Sequence, residues 1–203
     1  MADIRLGRTN MLSIKNAFGA LPIQRVSAEY AAMLLRKAYH AGITFFDTAR
    51  AYTNSEEKIG LTLADVRPSI VIATKTGAKT PEEFWEHLHT SLTFLKTNYI
   101  DIYQFHNPSF CPKPGDSSGL YDAMLQAKQQ GKIRWLGITN HRLAVAREAV
   151  ESGLYDTLQF PFCYLSTPEE IELVQRCGEK DVGFIAMKAL SGGLISNAGA
   201  AYA

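Results

Sequence analysis

Six polar residues stand at or near the ends of short apolar runs in this chain: Asp47 after "ITFF", Lys75 after "IVIAT", His106 after "YIDIYQF", Asn140 after "IRWLGIT", Gln159 in "DTLQF" and Lys188 after "VGFIAM". A seventh, Tyr52, follows Asp47 by five positions. A carboxylate, an ammonium, an imidazole and a phenol are the groups of acid–base chemistry. Each has a plainer reading when taken singly. Asp47 with Thr48 is common turn chemistry, Tyr52 could pack, and Lys75 could snorkel to water. His106 could be a hydrogen-bonded core histidine, and Asn140 could cap the helix expected at "HRLAVAREAV". Their joint occurrence at equivalent positions of separate runs favours a shared site, because independent turns would not choose these groups so consistently.

The elements that must position them follow a rhythm. Runs at 43–46, 69–74, 99–105, 132–139, 156–160 and 182–187, with one more near 16–21, read as strands. Between them lie helix starts at Ser27, Asn54, Thr80 and Thr167, each with carboxylates close behind, two of them followed at once by proline. Gly42, Gly131 and Gly153 stand where helices should stop. Ahead of the repeat, "DIRLGRTNMLSIK" reads as a hairpin turning at Thr9-Asn10. Strands this continuously apolar are covered on both faces, which predicts a parallel sheet wrapped by helices. The repeat fits a (β/α)8 TIM barrel better than an open doubly wound sheet, since no GxGxxG loop follows the first strand. Such barrels take about 250 residues. With 203 residues, the expectation is one domain over 1–203, truncated after the seventh strand, its C-terminal part missing. Fragmentation of a longer enzyme, completion by a second chain and a non-catalytic remnant all account for that, and fragmentation is preferred because the sequence stops inside an expected helix. In a TIM barrel the chemistry sits at the carboxyl ends of the strands, where the seven residues fall.

Composition narrows the partner. A net charge of +1 with no basic run gives no footprint for nucleic acid or an anionic membrane. No window approaches a membrane span, and the N-terminus has no signal-peptide core. A cytoplasmic location and a small-molecule partner are expected. Cys111, Cys163 and Cys177 form no CxxC pair, so no metal site is indicated.

Five motifs in order, "GITFFDTARAY", "IVIATKTG", "SLTFLKTNYIDIYQFHNP", "GKIRWLGITNH" and "GFIAMKALSGGL", make the chain resemble the aldo-keto reductases over essentially its whole length. The "AMK" of the last is similar to a bacterial branch whose longer members carry a C-terminal iron–sulfur domain. Any such cluster would lie in the missing region, since the three cysteines lack ligand spacing. The resemblance implies reduction of aldehydes or ketones with NADPH, and a catalytic tetrad of Asp47, Tyr52, Lys75 and His106. It also implies that Thr139, Asn140 and Gln159 face the nicotinamide carboxamide. Met187 falls where an aromatic often stacks on the ring. Lys188 and Leu190 match positions near the pyrophosphate, with Ser191, Gly192 and Gly193 allowing close approach. In this reading the Lys75 ammonium favours the phenolate of Tyr52 and makes it a better proton donor, Asp47 keeps Lys75 charged, and His106 steers the carbonyl.

Two rivals remain: a barrel aldolase forming a Schiff base at Lys75, and a non-catalytic nicotinamide-binding regulatory module. The substrate is not legible, although "HNPSFCPKPGDSSG" is a long loop beside His106. An exposed barrel edge leaves association with another chain open.

Overall fold

A computed structural model of the chain describes residues 4–13 and 15–189. Two sheets form. A short antiparallel hairpin joins β1 (Ile4–Arg5) to β2 (Leu12–Ser13). Its turn is a 3-10 segment over Gly7–Thr9, followed by Asn10 in the left-handed region, at the position read from the sequence. The second sheet has seven parallel strands in sequence order: β3 (Phe18–Gly19), β4 (Phe45–Asp47), β5 (Val71–Thr76), β6 (Ile100–His106), β7 (Ile133–Thr139), β8 (Thr157–Pro161) and β9 (Gly183–Met187). Six helices alternate with them: α1 (Ala28–His40), α2 (Ser55–Leu63), α3 (Pro81–Phe94), α4 (Leu120–Gln129), α5 (Leu143–Ser152) and α6 (Pro168–Glu179). The fold is therefore the curled α/β barrel expected, with seven strands among the described residues.

The helix signals act as read, with one exception. Ser27, Thr80 and Thr167 each accept a backbone N–H through the side chain, and Thr167 with Glu170 forms a reciprocal capping box. Asn54 occupies the cap position of α2, but its side chain makes no capping bond. The start of α2 is held instead by the buried Ser55, whose hydroxyl accepts from Thr48 Oγ1 at 2.9 Å and donates to the Ala20 carbonyl at 2.9 Å.

Period-two alternation sorts the strand residues into two apolar layers. Phe46, Ile72, Tyr103, Leu136 and Leu158 pack outward against helical residues such as Leu35, Ile59, Phe84, Met124 and Val150. Phe45, Ala73, Ile102 and Ile185 pack with Trp135, Val71 and the hairpin's Leu6 and Met11 in a second, smaller cluster inside the curled sheet. The hairpin approaches β9 closely. A Cβ on Gly7, whose φ is +49°, would fall 2.2 Å from the Gly183 nitrogen, and Arg5 is paired with Asp181 at 2.6 Å.

The inner cluster fixes which residues face the site. Two positions beyond its members lie Asp47, Lys75, Gln104 and Met187, with His106 and Thr139 two further along their strands. The registers Lys75↔Gln104, Gln104↔Gly137, His106↔Thr139 and Thr139↔Gln159 set them in rows across the sheet. Gly137 is glycine for lack of space: a Cβ there would meet Thr157 Oγ1 at 2.6 Å and Gln104 Cγ at 2.7 Å. Gly137→Ala is expected to lower stability by about 1–3 kcal/mol through overpacking, read as a lower urea midpoint at unchanged slope. A midpoint at or above that of the parent chain would show that this row has room.

Candidate active site

Asp47 and Lys75 end adjacent strands on the inner face and meet there. Lys75 is 1% exposed and Asp47 9%. The Lys75 Nζ donates to both Asp47 carboxylate oxygens, at 2.8 and 2.7 Å, and to the Thr48 carbonyl at 2.6 Å. All three ammonium protons are thereby used. Burial pulls the Lys75 pKa down from its ordinary value, and the Asp47 charge opposes that fall.

The chain between β4 and α2 continues along β5 before it turns: Thr48 N donates to the Ala73 carbonyl and Arg50 N to the Lys75 carbonyl. Glu56, fully buried, accepts from Thr74 Oγ1 at 2.6 Å and pairs with Arg50, which lies over the Phe94 ring. This bracing carries Tyr52 back over the pair. Its ring centroid lies 5.3 Å from Lys75 Nζ and 5.8 Å from the His106 ring, edge to face. The structure thus brings Asp47, Tyr52, Lys75 and His106 into one cluster at the carboxyl end of the strands.

The electrostatics differ from the expectation that Lys75 would acidify Tyr52. The Tyr52 pKa is pushed up to about 12, first by burial and then by the Asp47 charge. The physical reason is first that a buried phenolate loses its hydration, and second that Lys75 is paired with Asp47, so Tyr52 faces an ion pair and not a lone cation. His106 falls to about 4, chiefly through burial, with the positive charge of Lys75 and of His141 adding to it. At neutral pH both side chains are uncharged donors.

Gln104, which sequence reasoning did not single out, lies at the centre of this layer. It is fully buried, and its Nε2 reaches Gln159 Oε1 at 3.3 Å and Asp47 Oδ1 at 3.5 Å. Its Oε1 and the Thr157 hydroxyl have no hydrogen-bond partner among the described residues. The signal was present in the alternation, since Gln104 precedes His106 by two and shares its face.

The remaining expected residues divide. Thr139 and Gln159 lie in register on β7 and β8, with Gln159 Oε1 taken by Gln104. Met187 accepts a long contact from Thr139 Oγ1 at 3.9 Å. Asn140 is occupied at both ends: its Nδ2 donates to the Pro108 carbonyl at 2.8 Å, and its Oδ1 accepts from Arg142 N at 2.8 Å. It does not cap α5 as its position suggested: Arg142 stands at the cap position with no side-chain capping bond, and Asn140 instead closes a turn two residues ahead of it. Lys188, with φ +61°, brings its Nζ to 3.5 Å from His141 Nδ1. Leu190, Ser191, Gly192 and Gly193 lie outside the described residues. The donors fit a nicotinamide cofactor in part: Thr139 and the Gln159 amide offer polar groups at the strand ends, and Lys188 offers a cation, whereas the Asn140 side chain is already bonded. Among the described residues no group of three or more His, Cys, Asp or Glu residues is placed to hold a metal ion, and no helix is long and apolar enough to cross a membrane.

A parallel α/β barrel with a buried lysine–carboxylate pair, a tyrosine and a histidine at its carboxyl end defines a class of protein before any comparison. The chain belongs to the aldo/keto reductase family, whose family model matches residues 10–201. It is 28% identical over 214 residues to the L-galactose dehydrogenase of Arabidopsis thaliana, a match covering 96% of this chain and 67% of that protein. It is 28% identical over 183 residues to the NADH-specific methylglyoxal reductase of Escherichia coli, covering 79% of this chain and 56% of that one. The chain therefore spans between 56% and 67% of the length of these relatives. An aldo-keto reductase structure from Bacillus halodurans, in its holo form, superposes with a TM-score of 0.84 at 24% identity, over 96% of this chain and 68% of that one.

Removing one partner of the buried pair leaves a charge without compensation. Asp47→Ala is expected to cost about 3–5 kcal/mol at neutral pH, measured by chemical denaturation. A loss under about 1 kcal/mol, the range of exposed pairs, would show that Lys75 reaches water. A second expectation concerns pH. His106 is depressed to about 4 in the fold against 6.5 unfolded, so the unfolded chain binds more protons between those values and stability falls as pH drops through that window. His106→Gln should flatten that part of the stability profile; an unchanged slope would assign the loss to other groups.

Proposed function

We propose that this chain is the catalytic barrel of an NAD(P)H-dependent reductase of aldehydes or ketones. The observation that carries the reading is the cluster itself: Tyr52 and His106, both uncharged donors, set edge to face beside a neutralised lysine–carboxylate pair. A bound nicotinamide cofactor supplies the hydride. The residues do the rest. His106, neutral at pH 7, donates a ring N–H to the carbonyl oxygen and orients it. As negative charge grows on that oxygen, Tyr52 gives up its phenolic proton, and the product alcohol leaves a phenolate that water reprotonates. A pKa near 12 does not prevent this step, because an alkoxide is a stronger base than a phenolate. It does mean that Tyr52 holds its proton until the oxyanion develops. Lys75 and Asp47 act together: the pair holds the β4 end in place, and the ammonium offers a nearby field for the transient phenolate.

The same geometry supports reduction over a Schiff-base aldolase. A lysine nucleophile needs a free, neutral amine open to the substrate, and here the amine is 1% exposed with its three protons donated. The NADPH preference rests on the resemblance alone, while one relative is named as NADH-specific. Oxidation of each cofactor with methylglyoxal, followed at saturating carbonyl, decides between them. Tyr52→Phe should lower the carbonyl-reducing rate by a factor of about 10²–10⁴ with cofactor affinity unchanged in a fluorescence titration. Retention of most of the rate would remove Tyr52 from the acid's role, and cofactor binding without turnover on a broad aldehyde panel would favour a regulatory module.

A further inference from the structure

A cavity of about 450 Å³ opens beside His106, between the β5–α3 and β6–α4 connections. Its lining includes Thr76, Lys79, His106, Phe110, Leu120 and Arg142. Two of the lining side chains are cationic and none is a carboxylate. Glu83, close by in the sequence, has its carboxylate turned to the Lys79 backbone, accepting from Lys79 N at 2.8 Å beside the start of α3.

Arg142 differs from most arginines of this chain. Arg36, Arg67, Arg134, Arg147 and Arg176 each face a carboxylate. Among the described residues Arg142 has a neutral partner instead, donating through Nη1 to Asn107 Oδ1 at 3.4 Å. Its backbone is held as well, since Arg142 N donates to Asn140 Oδ1. Asn107 is itself fixed in the left-handed region, with φ +55°, by donating its N–H to the Thr139 carbonyl and accepting from His141 N at 3.2 Å. Asn107 and Asn140 therefore form a bracket that sets a guanidinium on the cavity wall without neutralising it. The long β6–α4 loop supplies one side of that bracket, which gives the segment a task.

We propose that the carbonyl substrate carries a carboxylate, bound at the Arg142 guanidinium with Lys79 adding its charge, while His106 and Tyr52 receive the carbonyl end. This rests on the reductase reading above and names its substrate class. A guanidinium fork matches a carboxylate in two parallel hydrogen bonds. Phe110 and Leu120 offer apolar wall to the carbon skeleton between the two ends, and the volume suits a small ligand. Lys75 cannot serve as the anion's partner, because Asp47 already holds it.

The test compares para-carboxybenzaldehyde with benzaldehyde at saturating cofactor. The acid aldehyde is expected to be favoured in kcat/KM by about tenfold or more, the range of hydrogen bonds to charged groups. That ratio should collapse by a similar factor in Arg142→Gln and shrink at high salt. Equal efficiency for the two aldehydes, or a preference that survives Arg142→Gln, would overturn the proposal. So would a loss of cofactor affinity in Arg142→Gln with the preference intact, which would give the guanidinium to the cofactor. Calorimetric titration with para-(hydroxymethyl)benzoate and with benzyl alcohol separates the two readings. Arg142-dependent binding of the acid alone, in a chain that turns over neither aldehyde, keeps the anion site and sinks the reductase reading. Turnover without preference does the reverse.

Discussion

The ion pair between Lys75 and Asp47 is the constraint on which the site depends. An ammonium taken out of water loses several kcal/mol of hydration, and attraction restores it only where every proton finds an acceptor. Here the three acceptors are two carboxylate oxygens and the Thr48 carbonyl. That arrangement needs β4 and β5 in one register and no other. A slip by one residue would turn Lys75 toward the helices and Thr74 inward. The inner cluster opposes such a slip, because it would turn Ala73 and Val71 of β5 away from Phe45, Ile102 and Ile185 to the wrong face. The floor that the hairpin completes with Leu6 and Met11 thus helps to hold the charge above it. The pair in turn determines what its neighbours feel. Burial raises the Tyr52 pKa first and the Asp47 end of the pair adds to it, while burial lowers that of His106 first and the Lys75 end adds to that.

Much of this was legible because strands reveal their ends. Asp47, Lys75 and His106 each close an apolar run, and a parallel sheet must put such residues at one mouth. The structure makes them the last or penultimate residues of their strands, not the first of the loops. The helix signals were legible for the same kind of reason: the orphan amides of a helix start require an acceptor, and serine or threonine before carboxylates supplies one. Asn54 shows the limit. Its type suits the position, but Ser55, Thr48 and the Ala20 carbonyl compete for the same corner through contacts 7 and 35 residues apart in sequence, and they prevail.

Other features required the fold. Gln104 is hidden inside "YIDIYQF", where a glutamine looks like an interruption of a buried run. Its significance comes from standing opposite Lys75 on one side and Gly137 on the other, and register is not written in either strand alone. Tyr52's raised pKa was equally out of reach, since the sequence shows that a lysine is near but not that its protons are already donated. Asn140 carried two readings from the start. Its amide is committed to Pro108 and Arg142, so any contact to a cofactor from this position must come from the backbone or follow a rearrangement of those bonds.

On the proposed chemistry the site places charge with economy. Within the layer that meets the carbonyl, the described groups carry almost no net charge: lysine cancels aspartate, and the tyrosine and histidine are neutral. Uncharged donors bind a ground-state carbonyl weakly and gain strength as negative charge develops on its oxygen, so their stabilisation is weighted to the transition state. A bare cation at the same place would also hold any anion that entered, and would spend binding energy on the ground state. Among the described residues, exposed cations without a carboxylate partner stand further out, Arg142 and Lys79 on the cavity wall and Lys188 beside His141. Cations there can attract and orient an anionic molecule through groups that do not react, leaving the proton donors in a low-dielectric layer where each hydrogen bond counts for more. Asn107 and Asn140 hold Arg142 in that outer zone, through the guanidinium and the backbone N–H respectively.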